Sequence, residues 1–110
     1  MHDDETAKLW RAFIPYSHYD GIATWPYSAS DRDSALTRLK RLAKRPQFIC
    51  HEITGSQFNL AATKKWIEST SIKANLTFAE TGFRNHNDAW LLRTSPAREH
   101  LRAWLKRVLQ

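Results

Sequence analysis

Four prolines, at positions 15, 26, 46 and 96, set the strongest limit on how this chain folds. Proline has no backbone N–H to donate, and it disfavours the helical conformation of the residue before it. Pro15 and Pro46 therefore end the helices that come before them. Pro96 instead suits the first turn of a helix, and Ser95 is a favoured N-cap for that helix. The chain is thus divided into short elements.

Hydrophobic periodicity predicts four helices between these breaks. Their apolar residues recur at helical spacing in residues 4–14, 31–45, 59–70 and 95–109. The second helix has the clearest pattern, because Ser30 and Asp33 stand at the spacing of a capping box. Its buried stripe is expected at Ala35, Leu36, Leu39, Leu42 and Ala43.

Strand patterns account for most of the remaining chain. Residues 47–54 are apolar on both faces, residues 72–79 alternate between apolar and polar, and residues 89–94 return after a polar turn at 81–88. The element order is therefore α-α-β-α-β-β-α. We expect one α+β domain over residues 1–110, with a small three-stranded, mostly antiparallel sheet packed with helices. A βαβ crossover between the first two strands would pair those two in parallel.

The formal net charge of +6 is unevenly distributed along the chain. Residues 1–30, an acidic N-terminal helix followed by an aromatic loop, hold two basic and four acidic residues. Residues 31–110 form a basic body with 15 basic and seven acidic residues. Such a body favours a polyanionic partner, either nucleic acid or an acidic protein surface. The alternative is that the charge only keeps a small protein soluble.

The sequence indicates no cofactor and no metal. Its three glycines are isolated, and its five histidines and single cysteine have no metal-binding spacing. Cys50 cannot form an intrachain disulfide, and no apolar run is long enough to span a membrane. The acidic N-terminus does not fit a secretory signal. We therefore expect a cytoplasmic protein without membrane association.

Two predicted helices carry a stripe of basic residues beside their apolar face. Arginine suits phosphate because its planar fork can donate two parallel hydrogen bonds. The predicted phosphate-binding residues on these helices are Arg38, Arg41, Arg45, Arg98, Arg102 and Lys106. The third helix and the polar turn add Lys64, Lys65, Arg84 and His86. The alternative is that these stripes are ordinary solvated faces.

The aromatic loop at residues 15–30 is long for a compact domain. Its candidate partner-binding residues are Tyr16, Tyr19, Trp25 and Tyr27. Such side chains stack on unpaired bases, anchor protein interfaces, or simply cover the edge of a core.

A catalytic site has less support in the sequence. His51 and Glu52 are neighbours on one predicted strand, so their side chains are expected on opposite faces, where they cannot act as a pair. Glu80, Arg84 and His86 lie around the polar turn and offer a base, a phosphate ligand and an acid for a metal-free ribonuclease. The alternative is a solvated turn without chemistry.

These observations predict a non-enzymatic nucleic-acid-binding protein. DNA is favoured over RNA, because the aromatic strand motif of common single-strand RNA binders is missing. One alternative is a protein-binding module, such as an inhibitor or accessory subunit, that acts on an acidic or nucleoprotein partner. A small metal-free ribonuclease is the other. No motif is specific enough to indicate a family.

Overall fold

The computed structural model describes residues 3–42 and 44–110. Ala43, part of the stripe predicted for the second helix, lies outside them. The elements within this range are α1 (Asp4–Lys8), α2 (Arg32–Leu42), β1 (Gln47–His51), α3 (Leu60–Ser69), β2 (Leu76–Glu80), α4 (Ala89–Leu92) and α5 (Pro96–Val108). No helix in the described residues is both long enough and apolar enough to cross a membrane.

The sheet is parallel, so the predicted three-stranded, mostly antiparallel sheet is wrong. β1 and β2 pair in parallel, with Gln47 opposite Leu76 and His51 opposite Glu80, and α3 forms the crossover between them. Residues 89–94, predicted as the third strand, contain α4 instead. A short apolar run such as Trp-Leu-Leu fits a helix as well as a strand. The described chain is therefore a small α+β globule with a two-stranded sheet.

An extended segment, residues 13–16, pairs in parallel with the free side of β1 through isolated bridges. Phe13 N–H donates to the carbonyl of Pro46 at 3.0 Å, and Phe48 N–H donates to the carbonyl of Phe13 at 2.8 Å. Farther along, Cys50 N–H donates to the carbonyl of Pro15 at 3.0 Å. This pairing explains why the first helix, predicted to reach residue 14, ends at Lys8. Three extended segments thus run in one direction, with β1 in the middle.

The helices cover both faces of this sheet, because alternate residues of β1 point to opposite sides. Phe48 and Cys50 pack in one core cluster with Leu101 and Trp104 of α5. Ile49 points the other way and packs in a second cluster, whose helical residues come from α2 and α3: Leu39, Leu60 and Ile67. α5 therefore lies on one face of the sheet, and α2 and α3 lie on the other.

The N-caps of α2 and α5 differ in how well the sequence predicts them. Ser95 Oγ accepts a hydrogen bond from Arg98 N–H at 3.1 Å, which confirms the predicted cap of α5. In α2, Asp31 replaces the predicted Ser30, because Asp31 Oδ1 accepts from Ser34 N–H at 2.8 Å. The Ser30 hydroxyl is occupied by the backbone of Trp25.

Candidate functional site

Polar side chains gather at the carboxyl ends of the three parallel segments, which meet at one edge of the sheet. Ser17 and His18 directly follow the segment 13–16, and Glu52 directly follows β1. The loop at residues 81–88 follows β2 and brings His86 to the same edge. The carboxyl edge of a parallel sheet is the usual place for ligands and chemistry in open α/β folds.

Glu52 lies at the centre of this carboxyl-edge cluster, which we define as Ser17, His18, His51, Glu52 and His86. Ser17 Oγ donates to Glu52 Oε1 at 3.1 Å. Glu52 Oε2 lies 3.4 Å from His51 Nδ1 and 3.7 Å from His86 Nδ1. The Glu52 side chain is only 10% exposed, and its Oε2 has no hydrogen-bond partner within residues 3–42 and 44–110. One carboxylate thus faces two imidazoles and a hydroxyl.

The surroundings of Glu52 favour its ionised form. Burial alone would raise the pKa of this carboxyl group. Its own backbone amide, the nearby His51, the Ser17 hydroxyl and His86 together outweigh burial and hold the pKa of Glu52 below its ordinary value of 4.5. Glu52 is therefore a carboxylate at neutral pH, able to orient an imidazole and to stabilise its protonated form.

Tyr16 holds the loop that carries His86 against the sheet. The Tyr16 and His86 rings are stacked, with centroids 4.7 Å apart and an interplanar angle of 6°. Tyr16 Oη donates to the carbonyl of Asn87 at 2.9 Å and accepts from Asn87 N–H at 3.2 Å. Burial raises the pKa of Tyr16, so its hydroxyl stays protonated in these contacts. The His86 side chain itself remains 57% exposed and open to a ligand.

His18 is the second exposed imidazole at this edge. Its ring centroid lies 6.0 Å from that of His86 and 6.0 Å from that of Trp25. Its Nδ1 lies 3.4 Å from the hydroxyl of Ser17. Ser17 has a φ of 67°, a left-handed conformation that costs a non-glycine residue about 1 kcal/mol or more. Backbone strain of this kind concentrates at functional sites.

A cavity of about 550 Å³ adjoins His18 and is lined by the aromatic loop and Arg38. Trp25 and Tyr27, two of the four predicted partner-binding aromatics, are exposed there. Tyr19 is instead buried and donates its hydroxyl to Gln47 Oε1 at 2.8 Å, and Tyr16 holds His86 as described. The structure therefore places Trp25 and Tyr27 where a ligand can reach them, and Tyr19 in the core.

The chain itself engages the predicted phosphate-binding arginines Arg38 and Arg41 of α2, and also Arg45, which lies beyond the end of α2 at Leu42 and not within the helix predicted to reach residue 45. Arg38 Nε lies 2.5 Å from Asp20 Oδ2, and its side chain is only 13% exposed. Arg41 Nε lies 2.9 Å from Asp4 Oδ1. Arg45 donates to the carbonyl of Trp10 at 3.0 Å and to the carbonyl of Arg41 at 2.7 Å.

The predicted basic residues of α5 have few contacts with the rest of the chain. Arg102 Nη1 lies 3.9 Å from Glu99 Oε1, a long and solvent-exposed pair. Within the described chain, no ion pair or side-chain hydrogen bond engages the charged groups of Arg98 and Lys106. Because α5 and α2 cover opposite faces of the sheet, the two stripes do not form one surface. Lys64 and Lys65 lie on α3, on the face away from α5.

The catalytic set suggested by the sequence is not assembled as predicted. His86 lies beside Glu52, and among the described residues no hydrogen bond or ion pair joins His86 to Glu80 or Arg84. The expectation that His51 and Glu52 point apart is also wrong, because their side chains approach within 3.4 Å. β1 ends at His51, so strand alternation does not extend to Glu52. The βαβ crossover raised for the first two strands is confirmed by the parallel pairing of β1 and β2, and it was the signal that could have placed Glu52 at a carboxyl edge.

Comparison with known proteins gives no assignment: no family model, curated protein or solved structure matches this chain. Among residues 3–42 and 44–110, no three histidine, cysteine or acidic side chains form a group able to hold a metal ion. Cys50 is buried in the core, and burial raises the pKa of its thiol to about 12. The thiol is therefore a poor nucleophile.

Proposed function

We propose that this protein binds nucleic acid through the basic residues of its C-terminal segment. The observation that carries the proposal is the exposed stripe of α5, whose cations have at most one distant carboxylate partner in the described chain. A phosphate backbone supplies the anions that this stripe lacks.

The segment from residue 81 to the end of the chain concentrates this charge, with six basic and two acidic residues. Its exposed basic side chains are Arg84, Arg93, Arg102, Lys106 and Arg107. The same segment carries His86 of the carboxyl-edge cluster. Phosphate contacts set position and affinity but do not distinguish DNA from RNA.

The aromatic loop supports binding of an unpaired strand rather than a duplex. Trp25 and Tyr27 are 43% and 67% exposed, so their rings are accessible to a ligand. Aromatic rings of this kind stack on unpaired bases of any sequence. A cytoplasmic setting belongs to the proposal as well, since Cys50, the chain's single cysteine, is a buried free thiol.

Fluorescence anisotropy across a salt series tests the proposal. Labelled single-stranded and double-stranded DNA and RNA are titrated with the protein, and poly-glutamate of equal charge serves as the protein-like polyanion. If about five phosphates are neutralised, log affinity falls against log salt with a slope of roughly −4. We expect a slope of that size and tighter binding of single strands.

Two results would contradict the proposal. Equal affinity for poly-glutamate and nucleic acid would favour the acidic-protein partner instead. Absence of binding to every nucleic acid at low salt would remove the proposal altogether.

A further inference from the structure

We infer that the carboxyl-edge cluster is an acid–base site that cleaves RNA by transesterification, with His86 and His18 as the proton-transfer groups. The inference rests on the proposed function, because nucleic-acid binding supplies the substrate. It adds a reaction to that function and assigns a role to side chains that phosphate binding does not use.

Two exposed imidazoles at one edge provide the geometry that this reaction needs. Their ring centroids are 6.0 Å apart, close enough for the edges of His18 and His86 to reach one phosphodiester group. Imidazole is the side chain that most readily both takes and gives a proton near neutral pH.

The reaction balances without a co-reactant. One imidazole accepts the proton of the ribose 2′-hydroxyl, and the 2′-oxygen forms a bond to phosphorus. The bond from phosphorus to the 5′-oxygen breaks, and the other imidazole gives its proton to that leaving oxygen. The products are a 2′,3′-cyclic phosphate and a 5′-hydroxyl. DNA has no 2′-hydroxyl, so it is bound but not cleaved.

Glu52 distinguishes the two imidazoles and makes His86 the base. The carboxylate lies 3.7 Å from His86 Nδ1, so it favours the tautomer whose proton is on Nδ1 and whose free lone pair is on Nε2. His18 Nδ1 lies 3.4 Å from the neutral Ser17 hydroxyl, so His18 is assigned as the acid. Glu52 acts through His86 and is therefore a positioning residue.

Three observations distinguish this cluster from a purely structural one. Glu52 Oε2 is buried and has no hydrogen-bond partner among the described residues, although buried polar atoms are normally satisfied. Ser17 holds its hydroxyl on Glu52 from a strained backbone conformation. The cavity lined by Trp25 and Tyr27 adjoins His18 and offers space for a base next to the reacting phosphate.

The test uses the full chain with single-stranded RNA and DNA of one sequence, in the presence of a chelator. We expect RNA fragments that end in 2′,3′-cyclic phosphate, and intact DNA. His86→Ala should lower the cleavage rate at least about 100-fold while the RNA dissociation constant changes less than about twofold. Asn85→Ala, an exposed neighbour in the same loop, is the matched control and should cleave as the unmodified protein does.

Glu52→Gln tests the positioning role, with Glu52→Asp as the conservative variant. We expect kcat to fall about tenfold or more for the glutamine variant with KM unchanged, and the aspartate variant to recover part of the loss. Circular dichroism establishes that each variant is folded. If Glu52→Gln does not fold, His86→Gln replaces it as the variant that tests the cluster, because the His86 side chain is exposed and its substitution is compatible with folding.

Each outcome decides between the two proposals. RNA that is bound but remains intact overturns the inference and leaves the proposed function standing. Cleavage that survives His86→Ala, or that the chelator abolishes, also overturns it. Cleavage of an RNA dinucleotide without binding of longer strands supports the inference and contradicts the proposed function.

Discussion

The helices α2 and α5 carry the same kind of basic stripe, yet the molecule uses the two stripes differently. Arg38 donates two hydrogen bonds to the carboxylate of Asp20 and one to the carbonyl of Ala29 at 2.9 Å. These bonds hold the aromatic loop to α2. Among residues 3–42 and 44–110, the one carboxylate paired with Arg102 of α5 is distant and exposed. The α2 stripe is thus part of the fold, whereas the α5 stripe is available to a partner.

The difference originates in the acidic first 30 residues. Asp4 and Asp20 reach Arg41 and Arg38, so the negative charge of this region is directed at α2. Segment 13–16 and the loop after it lie beside β1 and α2, while α5 packs on the opposite face. Charge complementarity within the chain therefore satisfies one stripe and leaves the other.

Of the substitutions predicted here, Gly21→Ala should destabilise the face of the sheet that α2 and α3 cover most strongly. Gly21 has a φ of 95°, and a Cβ there would overlap the indole of Trp66, which donates to the carbonyl of Asp20 at 2.9 Å. We expect a loss of about 3 kcal/mol in the free energy of unfolding, from backbone strain and overpacking. Chemical denaturation measures it. Gly82→Ala also has positive φ but meets no neighbouring atom, so it should cost less.

Single arginine removals should separate the two stripes directly. Arg38→Ala removes a bidentate ion pair whose arginine is 13% exposed and whose aspartate is 48% exposed, and it should lower the free energy of unfolding by about 1 kcal/mol. Arg102→Ala should change it by less than about 0.5 kcal/mol, because its pair is exposed and long. Urea denaturation of both variants gives the comparison. Equal losses would show that α5 also depends on its stripe for stability.

Acid should weaken the caps of α1 and α2 before that of α5. Hydrogen bonds from Thr6 lower the pKa of Asp3, and hydrogen bonds from Ser34 lower the pKa of Asp31, each from 3.8. A carboxyl group whose pKa is lower in the folded chain than in the unfolded chain stabilises the fold at any pH above its unfolded pKa. That stabilisation is lost as the pH falls through the folded pKa. The cap of α5 is Ser95, which does not titrate in this range.

Carbon chemical shifts followed by NMR below pH 4 report this difference. The first turns of α1 and α2 should lose helical shifts as the pH falls, while the first turn of α5 keeps them. Asp31→Ser provides a cap without a charge and should remove the pH dependence at α2. Simultaneous loss in α2 and α5 would refute the assignment to caps.

Local sequence patterns predicted the helices better than the sheet. The bounds of α3 and α5 lie close to the predicted 59–70 and 95–109, because capping residues and apolar spacing act within one element. The βαβ order indicated the parallel pairing of β1 and β2, but the pairing of segment 13–16 with β1 depends on contacts between distant residues, such as Phe13 with Pro46 and Phe48, which no local pattern encodes. The wrong expectation for residues 89–94 has a different cause, because their short apolar run fits a helix as well as a strand.

The site was also predicted only in part. His86 was identified from its polar turn, but its partner Glu52 was excluded by a strand alternation that stops one residue earlier. The basic stripes were visible in the sequence, but their partners were not, since Asp20 and Arg38 are 18 residues apart.

Charge reversal on opposite faces of the sheet tests the central claim most directly. Arg102→Glu with Lys106→Glu on α5, and Lys64→Glu with Lys65→Glu on α3, each lower the formal net charge by four, from +6 to +2. Anisotropy with single-stranded RNA across a salt series, beside the free energy of unfolding, compares the two pairs.

We predict that the α5 pair lowers affinity about tenfold or more beyond the α3 pair and reduces the magnitude of the salt slope by about 1–2. The free energy of unfolding should stay nearly unchanged for the α5 pair. Equal losses of affinity from both pairs would show that net charge alone drives binding, and would contradict the claim that α5 is the phosphate-binding surface.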